Sequence, residues 1–131
     1  MNGPGMKVIL VNPTSKLFED SRKLRKFVSP ILPLGIASIA AVLEREGGIE
    51  VKIIDQFAER ISNDELLAGV SDFMPDIVAF SCLTSVMGNV RSLAGKVKEK
   101  SKAMIVLGGI HPTIFPDDLL EDGLLDAAFI P

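Results

Sequence analysis

Residues 51–81 read VKIIDQFAERISNDELLAGVSDFMPDIVAFS, and the period of their apolar residues changes twice along the stretch. Val51–Asp55 and Asp76–Ser81 are short runs rich in Val and Ile, the composition of strands buried on both faces of a sheet. Between them Ser62 is followed three residues later by Glu65, a capping box that opens a helix. Leu66, Leu67, Val70 and Phe73 then share one helical face, and Pro75 stops the pattern. Strand, covering helix and second strand together predict a right-handed parallel crossover.

The same alternation extends outward in both directions. Lys7–Val11, Ala103–Leu107 and Asp126–Ile130 are three further strand-like runs. Leu34–Glu46 reads as the first helix, with Pro33 near its first turn and Gly47-Gly48 as its stop. Val90, Leu93, Ala94 and Val97 mark an amphipathic helix that turns Arg91, Lys96, Lys98 and Glu99 mostly outward. Pro116–Glu121 reads as a short fourth helix stopped by Gly123. The pattern predicts an α/β domain: a flavodoxin-like (Rossmann-like) five-stranded parallel sheet of order 2-1-3-4-5, with helices on both faces and ligands bound beyond the carboxyl ends of the strands.

Composition narrows the class. A chain of 131 residues, 47% hydrophobic and 24% charged, has room for one globular core. Its mean hydropathy of +0.35 is too high for a disordered chain. The uncharged stretch Pro30–Leu43 contains Pro33 and Gly35 and is shorter than the roughly 20 residues of a membrane span, so no transmembrane segment is expected. No signal peptide is read at the N-terminus, whose residues 1–5 are expected to be flexible. A single Cys can form no internal disulfide and cannot alone hold a zinc ion or an iron–sulfur cluster, which points to the cytosol. Net charge -3, with no Trp or Tyr, gives neither the basic footprint nor the stacking platform of a nucleic-acid binder.

The strand ends carry the candidate chemistry. The long stretch between Asn12 and Pro33 reads as a functional insertion at the ligand-binding edge, with Lys16, Arg22, Lys23, Arg25 and Lys26 set against Glu19 and Asp20. A solvated surface helix explains it slightly better than a flap that meets phosphate or carboxylate. Asn12-Pro13 lacks the glycines of a phosphate loop and the acidic pair of a phospho-acceptor receiver, and Ser81-Cys82 lacks that receiver's Asp. Ser81 and Thr84 offer hydroxyls where the chain leaves the third strand, although Thr84 or Ser85 also suits a helix N-cap. Gly108-Gly109 removes two Cβ atoms beside the fourth strand, which suits the approach of a large ligand and, almost as well, a turn. The lone His111 reads as a hydrogen-bonding residue and Cys82 as a small apolar filler.

Five stretches together resemble the N-terminal cobalamin-binding domain of cobalamin-dependent radical S-adenosylmethionine enzymes: Asn12-Pro13, Pro33-Leu34-Gly35-Ile36-Ala37, Pro75-Asp76-Ile77-Val78, Ser81-Cys82-Leu83-Thr84 and Gly108-Gly109-Ile110-His111-Pro112-Thr113. Their order and spacing hold across nearly the whole chain. The resemblance implies a domain over residues 6–131 that binds cobalamin and contains no catalytic residue of its own. It also implies a parent enzyme in which a downstream radical domain carries a CxxxCxxC motif, a 4Fe-4S cluster and S-adenosylmethionine. That family continues past the fifth strand with a Gly-Glu-Gly-Glu segment, so the end at Pro131 is expected to reflect C-terminal truncation.

Carried over residue by residue, Ser81, Leu83 and Thr84 would lie beside the corrin and its nucleotide tail. Gly108 and Gly109 would let the tail pass the fourth strand, and Val at Gly109 would weaken cofactor binding more than stability. Asn12 and Pro13 would start the loop under the corrin, with Leu34, Gly35, His111 and Pro112 completing the cofactor site. Corrinoid carriers with an Asp-x-His-x-x-Gly motif ligate cobalt from below through that His; the loop here has none. The resemblance therefore implies tail-detached cobalamin without a protein ligand to the metal, serving methyl transfer or a radical cyclisation or rearrangement. The alternatives are a flavodoxin-like module for another ligand or a protein partner, and a free-standing corrinoid carrier.

Overall fold

The structure, a computed structural model, describes residues 5–17, 22–27, 29, 31–118, 123–124 and 126–128. Strand β1 (Met6–Asn12) sends Val8 and Leu10 to one side and Ile9 and Val11 to the other, and all four are buried. A strand apolar on both faces needs cover on both, and β1 accordingly lies inside the sheet. It pairs in parallel with β2 (Ile49–Asp55) on one side and β3 (Ile77–Ser81) on the other. β4 (Met104–Gly108) pairs with β3, and a two-residue β5 (Ala127–Ala128) extends the sheet beside Val106 and Leu107. The order is β2-β1-β3-β4-β5, all parallel, so the expected Rossmann-like α/β architecture is the one adopted. The expected fifth strand, Asp126–Ile130, is described only at Ala127–Ala128 within the strand; residues 129–131 and 1–4 lie outside the described residues.

Two apolar clusters sandwich the sheet. α1 (Arg22–Arg25) is a single turn, and on one face α2 (Leu34–Glu46) buries Ile36 and Ala40 against Val8 and Leu10. The other face follows α3 (Gln56–Glu59) and is covered by α4 (Asn63–Phe73) and α5 (Met87–Lys100). These two helices bury Leu66, Leu67, Val70, Val90, Leu93, Ala94 and Val97 against Ile9, Val11, Val78, Phe80, Ile105 and Leu107. The Ser62–Glu65 capping box forms in both directions, and α2 ends at Gly47, whose φ of 75° is in the left-handed region.

The last helix differs from its expected position. α6 is Ile110–Ile114, not Pro116–Glu121; Pro116–Asp118 is a turn, and residues 119–122 lie outside the described residues. Gly109 at φ 103° turns the chain straight from β4 into this helix. Pro112 sits in its first turn, where a missing N–H loses no helical hydrogen bond. The cover is also uneven. Among the described residues α2 packs chiefly on β2 and β1, which leaves Ala79, Val106 and Gly108 as an open floor on the same face.

Asp126 ties the sheet edge to α5. Its carboxylate accepts Ile105 N–H at 2.7 Å and Lys98 Nζ at 2.8 Å, and the Ile105 amide, followed by Lys98, holds it below the usual carboxylate pKa. Its stabilising share is therefore complete above the unfolded value near 3.9 and lost as pH falls through the lower folded value. Urea unfolding should show Asp126→Ala less stable than wild type at pH 7, with the gap closing at pH 2.5; a gap of equal size at both pH values contradicts this role.

Candidate functional site

Two cavities meet at the carboxyl ends of β1 and β3. The first, of about 460 Å³, lies above the strand ends and is lined by Asn12, Pro13, Thr14 and Ser15 from the loop after β1, by Gly35 and Ile36 from α2, and by Ser81, Leu83, Ser85 and Val86 beyond β3. The second, also about 460 Å³, runs down the open face between α2 and the sheet. Ile36, Ile39 and Leu43 form one wall; Val8, Leu10, Ala79, Val106, Gly108 and Gly109 form the other. Gly35, Ile36 and Ser81 line both, so the two cavities adjoin along these residues.

The floor of the first cavity is fixed by a ring of buried amides. Thr14 N–H donates to Gln56 Oε1 at 2.9 Å, and Gln56 Nε2 donates to Asn63 Oδ1 at 2.7 Å. Asn63 Nδ2 then donates to Asn89 Oδ1 at 2.6 Å, and Asn89 Nδ2 closes the ring on the Thr14 carbonyl at 2.9 Å. The loop after β1 is thereby joined to α3, α4 and α5. Beside it Asn12 Nδ2 donates to Asp55 Oδ1 at 3.2 Å, and that carboxylate also caps α3 at Ala58 N–H.

Nine of the eleven sequence-derived candidates line three cavities, and Leu34 and Pro112 line none of them. Asn12, Pro13, Gly35, Ser81 and Leu83 surround the pocket at the strand ends, and Gly35, Ser81, Gly108 and Gly109 line the groove. Thr84 and His111 instead border a third cavity with Phe115 and Asp118. Leu34 is exposed at the start of α2, and Pro112 is buried in α6.

His111 is 5% exposed and engaged at both nitrogens, with Nε2 2.8 Å from Asp118 Oδ2 and Nδ1 3.1 Å from Thr84 Oγ1. The His111 hydrogen bond, then the charge of Arg91, holds Asp118 below the usual carboxylate range. An ionised Asp118 only accepts, so Nε2–H donates to it; in the neutral ring Nδ1 then accepts the Thr84 hydroxyl. Cys82 is fully buried with its thiol directed at Met87 Sδ. Burial, then the Asp118 charge, pushes this thiol up to about 12, so it packs as a small apolar residue.

The paired glycines have different tasks. A Cβ on Gly109 would lie 3.0 Å from the Cys82 carbonyl oxygen and 3.1 Å from its nitrogen, on a backbone already at φ 103°. A Cβ on Gly108 would meet nothing within 4 Å. The expectation that Val at Gly109 would weaken cofactor binding more than stability gains a structural cost on the stability side: the close backbone approach this glycine serves is that of Cys82. Gly109→Ala should lower unfolding free energy by about 2 kcal/mol or more, while Gly108→Ala should change it by less than about 0.5 kcal/mol. Equal urea midpoints for the two variants would contradict this division.

Sequence reading missed Thr14, Gln56, Asn63 and Asn89. The available signal was polar residues placed at strand ends and helix starts, the positions nearest the ligand edge.

Comparison with known proteins follows the same outline. The profile of the B12 binding domain matches residues 24–131. The chain is 34% identical over 144 aligned residues to cytidylyl-2-hydroxyethylphosphonate methyltransferase of Streptomyces wedmorensis, across 95% of this chain and 26% of that protein. It is 32% identical to an uncharacterized methyltransferase of Pyrococcus horikoshii, across 86% and 23%. It is 29% identical to the anaerobic magnesium-protoporphyrin IX monomethyl ester cyclase of Cereibacter sphaeroides, across 69% and 15%. The chain thus spans about a quarter or less of the length of these relatives. Among solved structures, the cobalamin-dependent S-adenosylmethionine radical enzyme OxsB, with aqua-cobalamin and S-adenosylmethionine bound, superimposes with a TM-score of 0.72 at 20% identity, over 89% of this chain and 16% of that one. The response regulator TrrA of Thermotoga maritima superimposes with a TM-score of 0.55 at 17% identity, over 96% and 86%, a likeness of fold alone. With the profile covering most of its length and the two cavities at the ligand edge of its sheet, the chain belongs to the B12-binding domain family.

Proposed function

We propose that this chain is the cobalamin-binding module of a radical S-adenosylmethionine enzyme, taking the corrin over the ends of β1 and β3 and the detached nucleotide tail into the groove beside α2. The observation that carries the reading is that the two cavities adjoin and share Gly35, Ile36 and Ser81 as walls. A broad pocket beside an apolar trench suits a flat macrocycle with a side arm. Each cavity falls within the roughly 300–1,000 Å³ usual for cofactor sites. The residues fit the group: Gly35 and Gly108 leave empty the space that a Cβ would fill.

On this reading Asn12, Pro13, Ser81 and Leu83 hold the corrin, Gly35 and Gly108 admit the tail, and Gly109 lines the same groove. Leu34 and Thr84 extend the rim. His111 and Pro112 serve it indirectly, His111 through its hydrogen bond to Thr84. His111 is the single His of the chain and both its ring nitrogens are engaged, which supports a cobalt without a protein nitrogen ligand. When bound, cobalamin supplies methyl transfer or assistance to a radical reaction, while this chain binds it, orients it and excludes water.

The similarity to longer methyltransferases and cyclases supports a downstream radical domain with a 4Fe-4S cluster and S-adenosylmethionine in the parent enzyme. It also supports a flavodoxin-like domain that takes in nearly the whole chain. No helix among the described residues is long and apolar enough to cross a membrane, and the single thiol is free and buried. Both features accord with a cytoplasmic enzyme. Alone, the module is expected to be catalytically inert.

Titration with hydroxocobalamin, followed by absorbance, tests the reading. Wild type should bind one equivalent. Gly108→Val should bind at least about tenfold more weakly at an unchanged urea midpoint, because its branches enter the groove and strands tolerate them. No binding by wild type, or equal affinity in the variant, would refute it.

A further inference from the structure

Among the described residues, Thr14 Oγ1 is the one buried side-chain polar atom with no hydrogen-bond partner. Thr14 is 3% exposed and lines the pocket at the strand ends. Its backbone groups are both engaged, the N–H with Gln56 Oε1 and the carbonyl with Asn89 Nδ2. The amides bonded to its backbone are joined in the closed ring, so neither can turn toward the hydroxyl without breaking a bond already made. A buried hydroxyl without a partner is unfavourable, and Val would occupy the position with nearly the same shape.

We infer that Thr14 is a specificity-determining residue whose hydroxyl is held unpaired for a polar group of the pocket's ligand. The inference rests on the cobalamin reading above, and the matching group is an amide of the corrin periphery. Such an amide carries both an N–H and a carbonyl, so the hydroxyl can donate to it or accept from it. The ring of amides fixes the Thr14 backbone on both sides, which places the hydroxyl before the ligand arrives and lowers the ordering cost of binding. Desolvation has already been met in the folded chain, and the ligand restores the missing bond. Thr14 thus trades stability of the empty site for affinity.

The trade gives opposite signs in two measurements. Thr14→Val should raise the thermal midpoint of the ligand-free chain by roughly 3–6 °C and weaken hydroxocobalamin binding about tenfold. Thr14→Ser, which keeps the hydroxyl, should bind within about threefold of wild type. A Thr14→Val variant that binds as tightly as wild type, or one whose ligand-free midpoint falls, overturns the inference; the second result marks the hydroxyl as a structural group bonded within the fold. Failure of wild type to bind is a separate outcome, and it removes the cobalamin reading and this inference together.

Discussion

The hydrogen-bonded ring of Thr14, Gln56, Asn63 and Asn89 is the constraint on which the ligand edge depends. Three of its four members are amides that are at least nine-tenths buried, and Gln56 is wholly out of contact with water. In so apolar a setting each bond is strong while made, and each group is costly when left unmade, by about 1–3 kcal/mol. Removing one member would orphan its neighbours, so the ring acts as a unit. Its effect is to weld the loop after β1 to helices on the fully covered face, far in sequence from that loop. The floor of the pocket therefore stays in place whether or not anything lies on it, and the cost of ordering a loop on binding is avoided.

The second determinant is the uneven cover of the sheet. Among the described residues, two helices close one face, while α2 packs on the other and leaves small residues, Ala79 and Gly108, opposite its flank. Bulky side chains at those places would close the groove by themselves. The residues with the most reactive names have no free valence for chemistry: Cys82 is a buried thiol far from ionisation, and His111 is tied between Thr84 and Asp118. The site accordingly reads as a holder of a cofactor that brings its own reactivity.

How much of this was legible in sequence depends on the range of the interaction. Strands β1 to β4 and helices α2, α4 and α5 follow from apolar period and from local caps such as Ser62 with Glu65, signals that lie within a few residues. Gly109 and Pro116 misled because each admits two local readings. A glycine after a strand can clear a ligand or permit a positive φ, and only its contact with Cys82 decides. A proline can break a helix or begin one, and the turn at Gly109 decides that. The amide ring was illegible for a different reason. Asn63 and Asn89 are 26 positions apart, and Asn89 and Thr14 are 75 apart, so polar residues that pair in the fold look like surface caps in the chain.

Electron paramagnetic resonance of the bound, cobalt(II) form of cobalamin tests the central claim most directly, because the unpaired electron reports any axial nitrogen through hyperfine splitting. A tail lodged beside α2 and a chain without an available imidazole predict cobalt hyperfine lines with no further splitting. A threefold nitrogen splitting of those lines, whether from the nucleotide base or from His111, would contradict the account.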